Sequence, residues 1–481
     1  MSVPIFRQLL VDPPAPAGER DVTAPYDGAV LAKVETSEPA AHDRALATAA
    51  SWFAERGNRL NVTERCAVLR RAAELMQERF EDLAVGAAAE GGKPLEDSRI
   101  EVARAIDGLH LCIETIRSEP GDAIPMAGTA AGEGRLAVTT REPIGIVVAV
   151  SAFNHPLNLI VHQVGAAVAA GCPVVVKPAD DTPLSCLRFV AILHEAGLPP
   201  ESCQAIVSDS LESAEKLVTD ERVDFFSFIG SARVGWMLRS KLSPGTRCAL
   251  EHGGAAPLFL AEDADLDVAV ESVAKGGFYH AGQVCVSVQR VFADATIARP
   301  FAERLATRAG ALRLGDPTDP ATEVGPLIRP REVERVAQWV DEALAAGAER
   351  LVGGEALSDS LYPCTVLYDP PADAKVTTQE IFGPVVCVVP YEDLDAAIDQ
   401  ANSLPFAFQG AVLTGSVETA MRVYRRLDAS AIMVNDHTAF RIDGMPFAGL
   451  KQSGLGIGGI PHTIRDMSFE KMLVIKSENL L

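Results

Sequence analysis

Between Gly145 and Leu250 short apolar runs alternate with segments of helical period: GIVVAV, a helical stretch around 157–170, PVVVKP, a second around 183–196, QAIVS, a third helical stretch, and VDFFSFIGS. Runs that are apolar at every position, rather than at every second one, belong to strands covered on both faces. Strands of that kind separated by helices build βαβ units and hence a parallel sheet. This constrains the chain more than any other feature, because ligands of such sheets lie in the crevice beyond the carboxyl ends of the strands.

The same logic extends to both sides. From about Glu38 to Ile116 apolar residues such as Ile106, Leu109, Ile113 and Ile116 fall three or four apart, which predicts two or three long helices. The Gly/Pro/Ala-rich SEPGDAIPMAGTAAGEG breaks that period, and RLAVTTREPIGIVVAV then reads as strands. From about Glu251 to Leu450 a second alternation places runs such as VVCVVPYE between helices at 331–346 and 393–402, which predicts a second α/β domain. Near the end, MLVIK is strand-like with no partner close in sequence, so it is expected to pair with a distant segment or another chain.

Composition narrows the function classes. The chain has 481 residues, enough for two to four domains, and a net charge of −22. That balance repels phosphodiester backbones and anionic membrane surfaces, so neither nucleic acid nor membrane is an expected partner. Nine cysteines, odd in number and without a C-x-x-C pair, suggest neither a disulfide framework nor a zinc site. No signal-like leader and no apolar run of eighteen residues occurs, and the cytoplasm is the expected compartment.

Four places could carry chemistry. Gly230 and Ser231 follow a strand and precede a helix, a turn that lets backbone N–H groups and a helix N-terminus face a phosphate, with Ser231 as the cap. Gly454–Gly459 formally satisfies G-x-G-x-x-G, but no strand-like run precedes it and no helix begins within it, so it reads as a flexible glycine turn. Cys285, in HAGQVCVS, and Glu251, before Gly253 and Gly254, are a thiol and a carboxylate beside small residues that admit a ligand. Asn154 follows the strand GIVVAV.

Taken together, AFNHP, VVKPAD, FIGS, EHGG, GQVC, EIFGP and PFAGLKQSG, in this order from residue 152 to 454 and preceded by GGKP at 91–94, resemble the aldehyde dehydrogenase superfamily. The resemblance implies an α/β fold of two domains with parallel sheets plus a small β oligomerisation element. Residues 1–123 and 144–250 would form the dinucleotide-binding domain, 251–450 the catalytic domain, and 124–143 with 463–481 the oligomerisation element of a homodimer or homotetramer. It implies Cys285 as the nucleophile, Asn154 and the Cys285 N–H as oxyanion donors, and Glu251 as the base that activates the hydrolytic water. Lys177 would bond the adenosine ribose, Gly230 and Ser231 would face the pyrophosphate, and Glu380 would hold the nicotinamide ribose beside Phe382. Phe153 stands where tryptophan is common, and His252 where leucine is common. Asp180 takes the place of a frequent glutamate; a carboxylate there repels a 2′-phosphate, so NAD is the expected acceptor and NADP the alternative.

Arg104, His155 and Arg441 coincide with positions that bind the anionic end of the substrate in superfamily members acting on phosphonoacetaldehyde. The Arg104 and Arg441 positions are also similar to those of non-phosphorylating glyceraldehyde-3-phosphate dehydrogenases. Guanidinium forks suit a dianion entering a dry tunnel. A further cation that such members carry before the nucleophile is replaced by Val284. The expected substrate is therefore a short aldehyde bearing phosphonate, first, or sulfonate, phosphate or carboxylate, with a neutral aldehyde the remaining alternative by the same route. Three other readings stand beside it: a coenzyme A-acylating enzyme, against which Glu251 argues; a cofactor-free thiol hydrolase using His280 or His252 as base; and a non-catalytic protein on an inherited scaffold.

Overall fold

Val147–Val150 and Val174–Lys177 lie side by side and parallel at the centre of a six-stranded sheet. Across that sheet the order is Gly454–Leu455, Arg247–Glu251, Phe225–Ile229, Val147–Val150, Val174–Lys177 and Cys203–Ala205. Every pairing is parallel except that of the edge strand Gly454–Leu455. The computed structural model describes residues 3–479; the terminal residues 1, 2, 480 and 481 of the expected segments 1–123 and 463–481 fall outside it.

Helices cover both faces of the sheet, as full burial of its valines requires. The segment 38–116 holds four helices, Pro39–Ala54, Val62–Glu78, Phe80–Gly91 and Leu95–Ser118, rather than two or three. The extra break falls at Arg79, where one helix ends and the next begins with no turn residue to mark it. The helical stretch after Val150 runs from Asn158 to Ala170 and carries a π turn at Val161–Gly165. Such turns change the direction of the side chains they carry, and this one bears His162.

A seven-stranded sheet follows, ordered Glu349–Val352, Thr365–Tyr368, Val385–Tyr391, Val288–Asp294, Ala256–Leu260, Gln409–Leu413 and Ala431–Val434. It too is parallel except for one edge, the antiparallel Glu349–Val352. Only Glu251 to Ala256 separates the last parallel strand of the first sheet from the first strand of the second, so the two sheets meet at the end of the Glu251 strand.

The orphan MLVIK finds its partner: Ser468–Lys476 pairs antiparallel with Arg135–Pro143 over nine residues, and Ala123–Ile124 completes a small sheet. Met472, Leu473, Val474 and Ile475 are exposed on it. Ile464 and Met467, just before this strand, fill the core of the first sheet. Two further features depart from the sequence reading. Residues 5–36 contain a three-stranded sheet of Ile5–Phe6, Val30–Thr36 and Gly18–Thr23, where helix-period analysis places no element. The Gly454–Gly459 run is not a flexible turn: its first two residues are the sheet's edge strand, and the helix Ile460–Asp466 begins directly after it.

Candidate active site

The carboxyl ends of the central strands open on one cleft of about 770 Å³ between the two sheets. Every residue singled out from the sequence lines it: Arg104, Phe153, Asn154, His155, Lys177, Asp180, Gly230, Ser231, Glu251, Cys285, Glu380, Phe382 and Arg441. Residues up to 337 positions apart converge because parallel strands deliver their loops to the same side.

Cys285 lies at the middle of the cleft, after a turn in which His280, Ala281 and Gly282 all have positive φ, 50°, 53° and 69°. A Cβ at position 282 would come 2.1 Å from the Gly383 carbonyl oxygen, so glycine is required there. Two consecutive non-glycine residues in the left-handed region store strain, a feature that concentrates at active sites. Burial pushes the Cys285 thiol up to about 12; Arg441 opposes this, while Glu251 and Glu380 add to it. Asn154 is buried and donates one amide proton to the Gln283 carbonyl at 2.9 Å. Gln283 is itself fixed by the N–H of Ile328 and by the carbonyls of His280 and Pro326.

Glu251 ends its strand with the carboxyl packed on Gly458, where a Cβ would fall 2.1 Å from Oε1. Burial raises its pKa, and Arg441 pulls it back. Glu380 lies against Gly253 in the same manner, and burial lifts it to about 8. A carboxylate is thus seated on a glycine on either side of the thiol.

At the other end of the cleft, the buried Lys177 donates to Asp180 Oδ1 at 2.8 Å and to the Pro178 carbonyl at 3.1 Å. Arg20 Nη1 stands 3.3 Å from the same carboxylate oxygen. Gly230 leads into the helix Ala232–Arg239 with Ser231 at its cap position, but the Ser231 hydroxyl makes no capping bond, contrary to the sequence reading. It stays open to the cleft. Phe153 and Phe382 pack edge to face at 5.9 Å, an arrangement that forms one aromatic wall.

His252 donates from Nδ1 to the Gly230 carbonyl at 2.8 Å and packs on Phe228 and Trp236. Neither it nor His280, whose ring nitrogens have no partner, bonds to Cys285. The thiol and histidine pair that a cofactor-free hydrolase needs is not assembled.

The third part of the cleft is cationic. Arg104 grips Asp443 with Nε and Nη2 at 3.0 and 2.7 Å. Asp443 also accepts from Asn158 at 3.0 Å and from His162 Nε2 at 2.7 Å, so four donors hold it ionised in a buried place. His162 Nδ1 in turn accepts from Arg441 Nη2 at 3.4 Å. Arg441 lies 3.6 Å over the Phe447 ring, and its Nε is buried with no partner. Among the described residues no carboxylate forms a salt bridge with it. Burial lowers its pKa.

His155 stacks on Tyr279 at 6.0 Å and is held at Nδ1 by Lys93. Lys93 is fully buried and paired with Glu101, which also accepts the N–H groups of Leu157 and Asn158 at 2.9 Å. The sequence reading assigned no role to Lys93, Glu101, His162 or Asp443. Glu101 left a trace: it falls on the buried stripe of its helix between Ser98 and Ala105, where an unpaired carboxylate would be costly. Asp443 sits in an aperiodic loop and left none.

A thiol near two carboxylates, in a cleft that also holds a helix N-terminus at the crevice of a parallel sheet, is an arrangement suited to covalent sulfur chemistry with a bound nucleotide. The chain belongs to the aldehyde dehydrogenase family, whose family model matches residues 14–473, and it is an enzyme that oxidises aldehydes. It is 37% identical over 418 residues to the 3-sulfolactaldehyde dehydrogenase of Priestia aryabhattai, covering 87% of each chain. Aldehyde dehydrogenase 21 of Physcomitrella patens, solved with its reaction product succinate, is 32% identical and superposes over the whole of both chains with a TM-score of 0.95. A glyceraldehyde-3-phosphate dehydrogenase of Methanocaldococcus jannaschii, solved with NADP, is also 32% identical, with a TM-score of 0.91 over 96% of this chain and 100% of its own.

Proposed function

We propose that this enzyme oxidises a short aldehyde carrying a single negative charge, with sulfonate first, to its carboxylic acid, using NAD, with NADP as the alternative acceptor. The observation that carries the reading is Arg441: a half-buried guanidinium in the cleft that holds Cys285 and Glu251, its Nε shielded and without a partner, and with no carboxylate in salt-bridge contact among the described residues. Such a cation is costly unless an anion meets it. Arg104 is already neutralised by Asp443, and His155 lies well below its ordinary pKa because of burial first and of Lys93, His280 and the two arginines after it. One uncommitted charge matches a sulfonate or a carboxylate better than a dianionic phosphonate, so the sequence-based order is revised. The relative named for sulfolactaldehyde and the neighbour solved with succinate support the same class.

The residues fit a nicotinamide dinucleotide: an open Ser231 hydroxyl at a helix N-terminus, Lys177 at one end, and Glu380 with the Phe153 and Phe382 wall at the other. Bound there, that cofactor supplies a two-electron acceptor. The Cys285 thiol gives its proton to solvent, the thiolate sulfur adds to the aldehyde carbon as the carbonyl π bond opens, and the oxygen gains its negative charge where the second Asn154 amide proton and the Cys285 N–H can meet it. Loss of the carbon's hydrogen with its electron pair leaves a thioester on Cys285. Glu251 takes a proton from water as that water adds to the thioester carbon; the carbon–sulfur bond breaks and the thiolate returns. The exposed Ser468–Lys476 ladder is the surface on which a second copy would pack.

Reduced-nicotinamide formation from sulfoacetaldehyde and propanal, with wild type and Arg441→Met, tests the reading. Loss of charge-assisted bonds predicts a fall in kcat/KM of about a hundredfold for the sulfonate and less than about fivefold for propanal. Equal losses on both would refute an anion site at Arg441.

A further inference from the structure

Two histidines, His155 lining the cleft and His162 buried outside its lining, take a cation at the same ring nitrogen. His162 accepts at Nδ1 from Arg441 and spends its Nε2–H on Asp443. His155 accepts at Nδ1 from Lys93 at 2.5 Å, yet among the described residues its Nε2 has no hydrogen-bond partner, and the residue lines the cleft. An ammonium group has only protons to offer, so the nitrogen it faces must carry the lone pair and the ring proton must sit on the other nitrogen. Burial lowers the Lys93 pKa, and the Glu101 carboxylate paired with it opposes that fall and favours the ammonium form; Glu101 is itself anchored by two backbone N–H groups at the start of the helix that follows Asn154 and His155.

We propose that Lys93 is a positioning residue: it locks His155 as the neutral Nε2–H tautomer and so turns the ring into a fixed hydrogen-bond donor for the anionic end of the substrate. This rests on the anionic-aldehyde reading above and adds to it a donor that carries no charge. The groups facing the ring from each neighbouring element are Lys93 and Arg104 from the helix Leu95–Ser118 and the loop before it, Tyr279 and His280 from the turn before Cys285, and Arg441 from the loop that carries Asp443. The four that carry or can gain positive charge all oppose protonation of His155, so it stays neutral through the pH range in which a free histidine titrates. Removing the Lys93 charge removes both the lock and part of that opposition.

The quantity to measure is the ratio of KM for sulfoacetaldehyde to KM for propanal between pH 5.5 and 8.5. The sulfonate stays a monoanion throughout, and changes in cofactor binding or in Cys285 cancel in the ratio. In wild type the ratio is expected to be flat. In Lys93→Met the ring can shift its proton or gain one, so the ratio is expected to rise about tenfold at pH 8 and to fall again toward pH 5.5. Lys93→Arg, which keeps a donor at Nδ1, is expected to restore a flat ratio. Should Lys93→Met not fold, His155→Gln, which keeps an N–H at the place of Nε2, is expected to hold the ratio within about threefold while His155→Leu loses about tenfold. A wild-type ratio that titrates between pH 6 and 7, or a Lys93→Met ratio equal to that of wild type, would overturn the tautomer lock and leave the anionic-aldehyde reading standing. A wild-type enzyme that prefers propanal would overturn both.

Discussion

Gly458→Ala is the sharpest test of the role of Glu251. The Gly458 backbone is open to any residue, so the added methyl acts through space alone. Its carbon would fall 2.1 Å from Glu251 Oε1 and 2.9 Å from the Phe447 carbonyl oxygen, whereas ordinary contact begins at 3.4 Å. The carboxylate must therefore retreat by about 1.3 Å, and a displacement on the order of 1 Å costs a positioned group about a hundredfold, or about 2.7 kcal/mol of barrier. Only hydrolysis needs Glu251 as base; attack by Cys285 and oxidation precede it. Rapid mixing of enzyme, NAD and sulfoacetaldehyde should accordingly give a burst of reduced nicotinamide close to one equivalent per site, followed by a steady rate about a hundred times slower than wild type. Thermal unfolding with a Tm near that of wild type would show that the neighbouring edge strand Gly454–Leu455 is kept. A steady rate within about threefold of wild type, or burst and steady phases that fall together, would refute the assignment of Glu251.

Arg20 stands 3.3 Å from Asp180 and offsets the charge that would repel a 2′-phosphate, so Arg20→Ala should weaken NADP binding about tenfold more than NAD binding; equal effects in calorimetric titration of the two would argue against it. With the Cys285 thiol raised to about 12, its alkylation by iodoacetamide in the cofactor-free enzyme should climb about tenfold per pH unit from pH 7 to 10 without levelling, because the thiolate fraction grows at that rate below the pKa. Mass spectrometry of the peptide containing Cys285 reads this directly, and a plateau below pH 9 would contradict it.

The fold was legible wherever burial leaves a periodic trace. Valine runs such as Val174–Lys177, apolar at three successive positions and β-branched, mark doubly covered strands, and such strands place a cleft at their carboxyl ends. The N-terminal sheet escaped because a search for helical period passes over Val30–Thr36, whose alternation of buried and half-exposed positions has period two. At the site, the residues expected from the sequence to meet a ligand carried motif-like spacing, and they line one cleft. The residues that hold them did not: His162 is turned toward Asp443 from a π turn, and the Asp443 carboxylate reaches three residues, Arg104, Asn158 and His162, from a loop, contacts that only the folded chain brings together. Gly454–Gly459 misled for a related reason, since a two-residue strand has no sequence signature and owes its place to the neighbouring Arg247–Glu251.

That arrangement bears on how such an enzyme can change. Three adjacent strands of one hydrogen-bonded ladder end in the Gly230 turn, in Glu251, and in the glycine run against which Glu251 rests. The Gly230 turn and Glu251 are thereby held in register with one another by the ladder. Arg104, His155 and Arg441 belong to a helix surface and two loops outside the ladder. On the proposed reading, substrate choice can drift by replacement of those few side chains and their holders, Lys93 and Asp443, while the Gly230 turn and Glu251 keep their spacing.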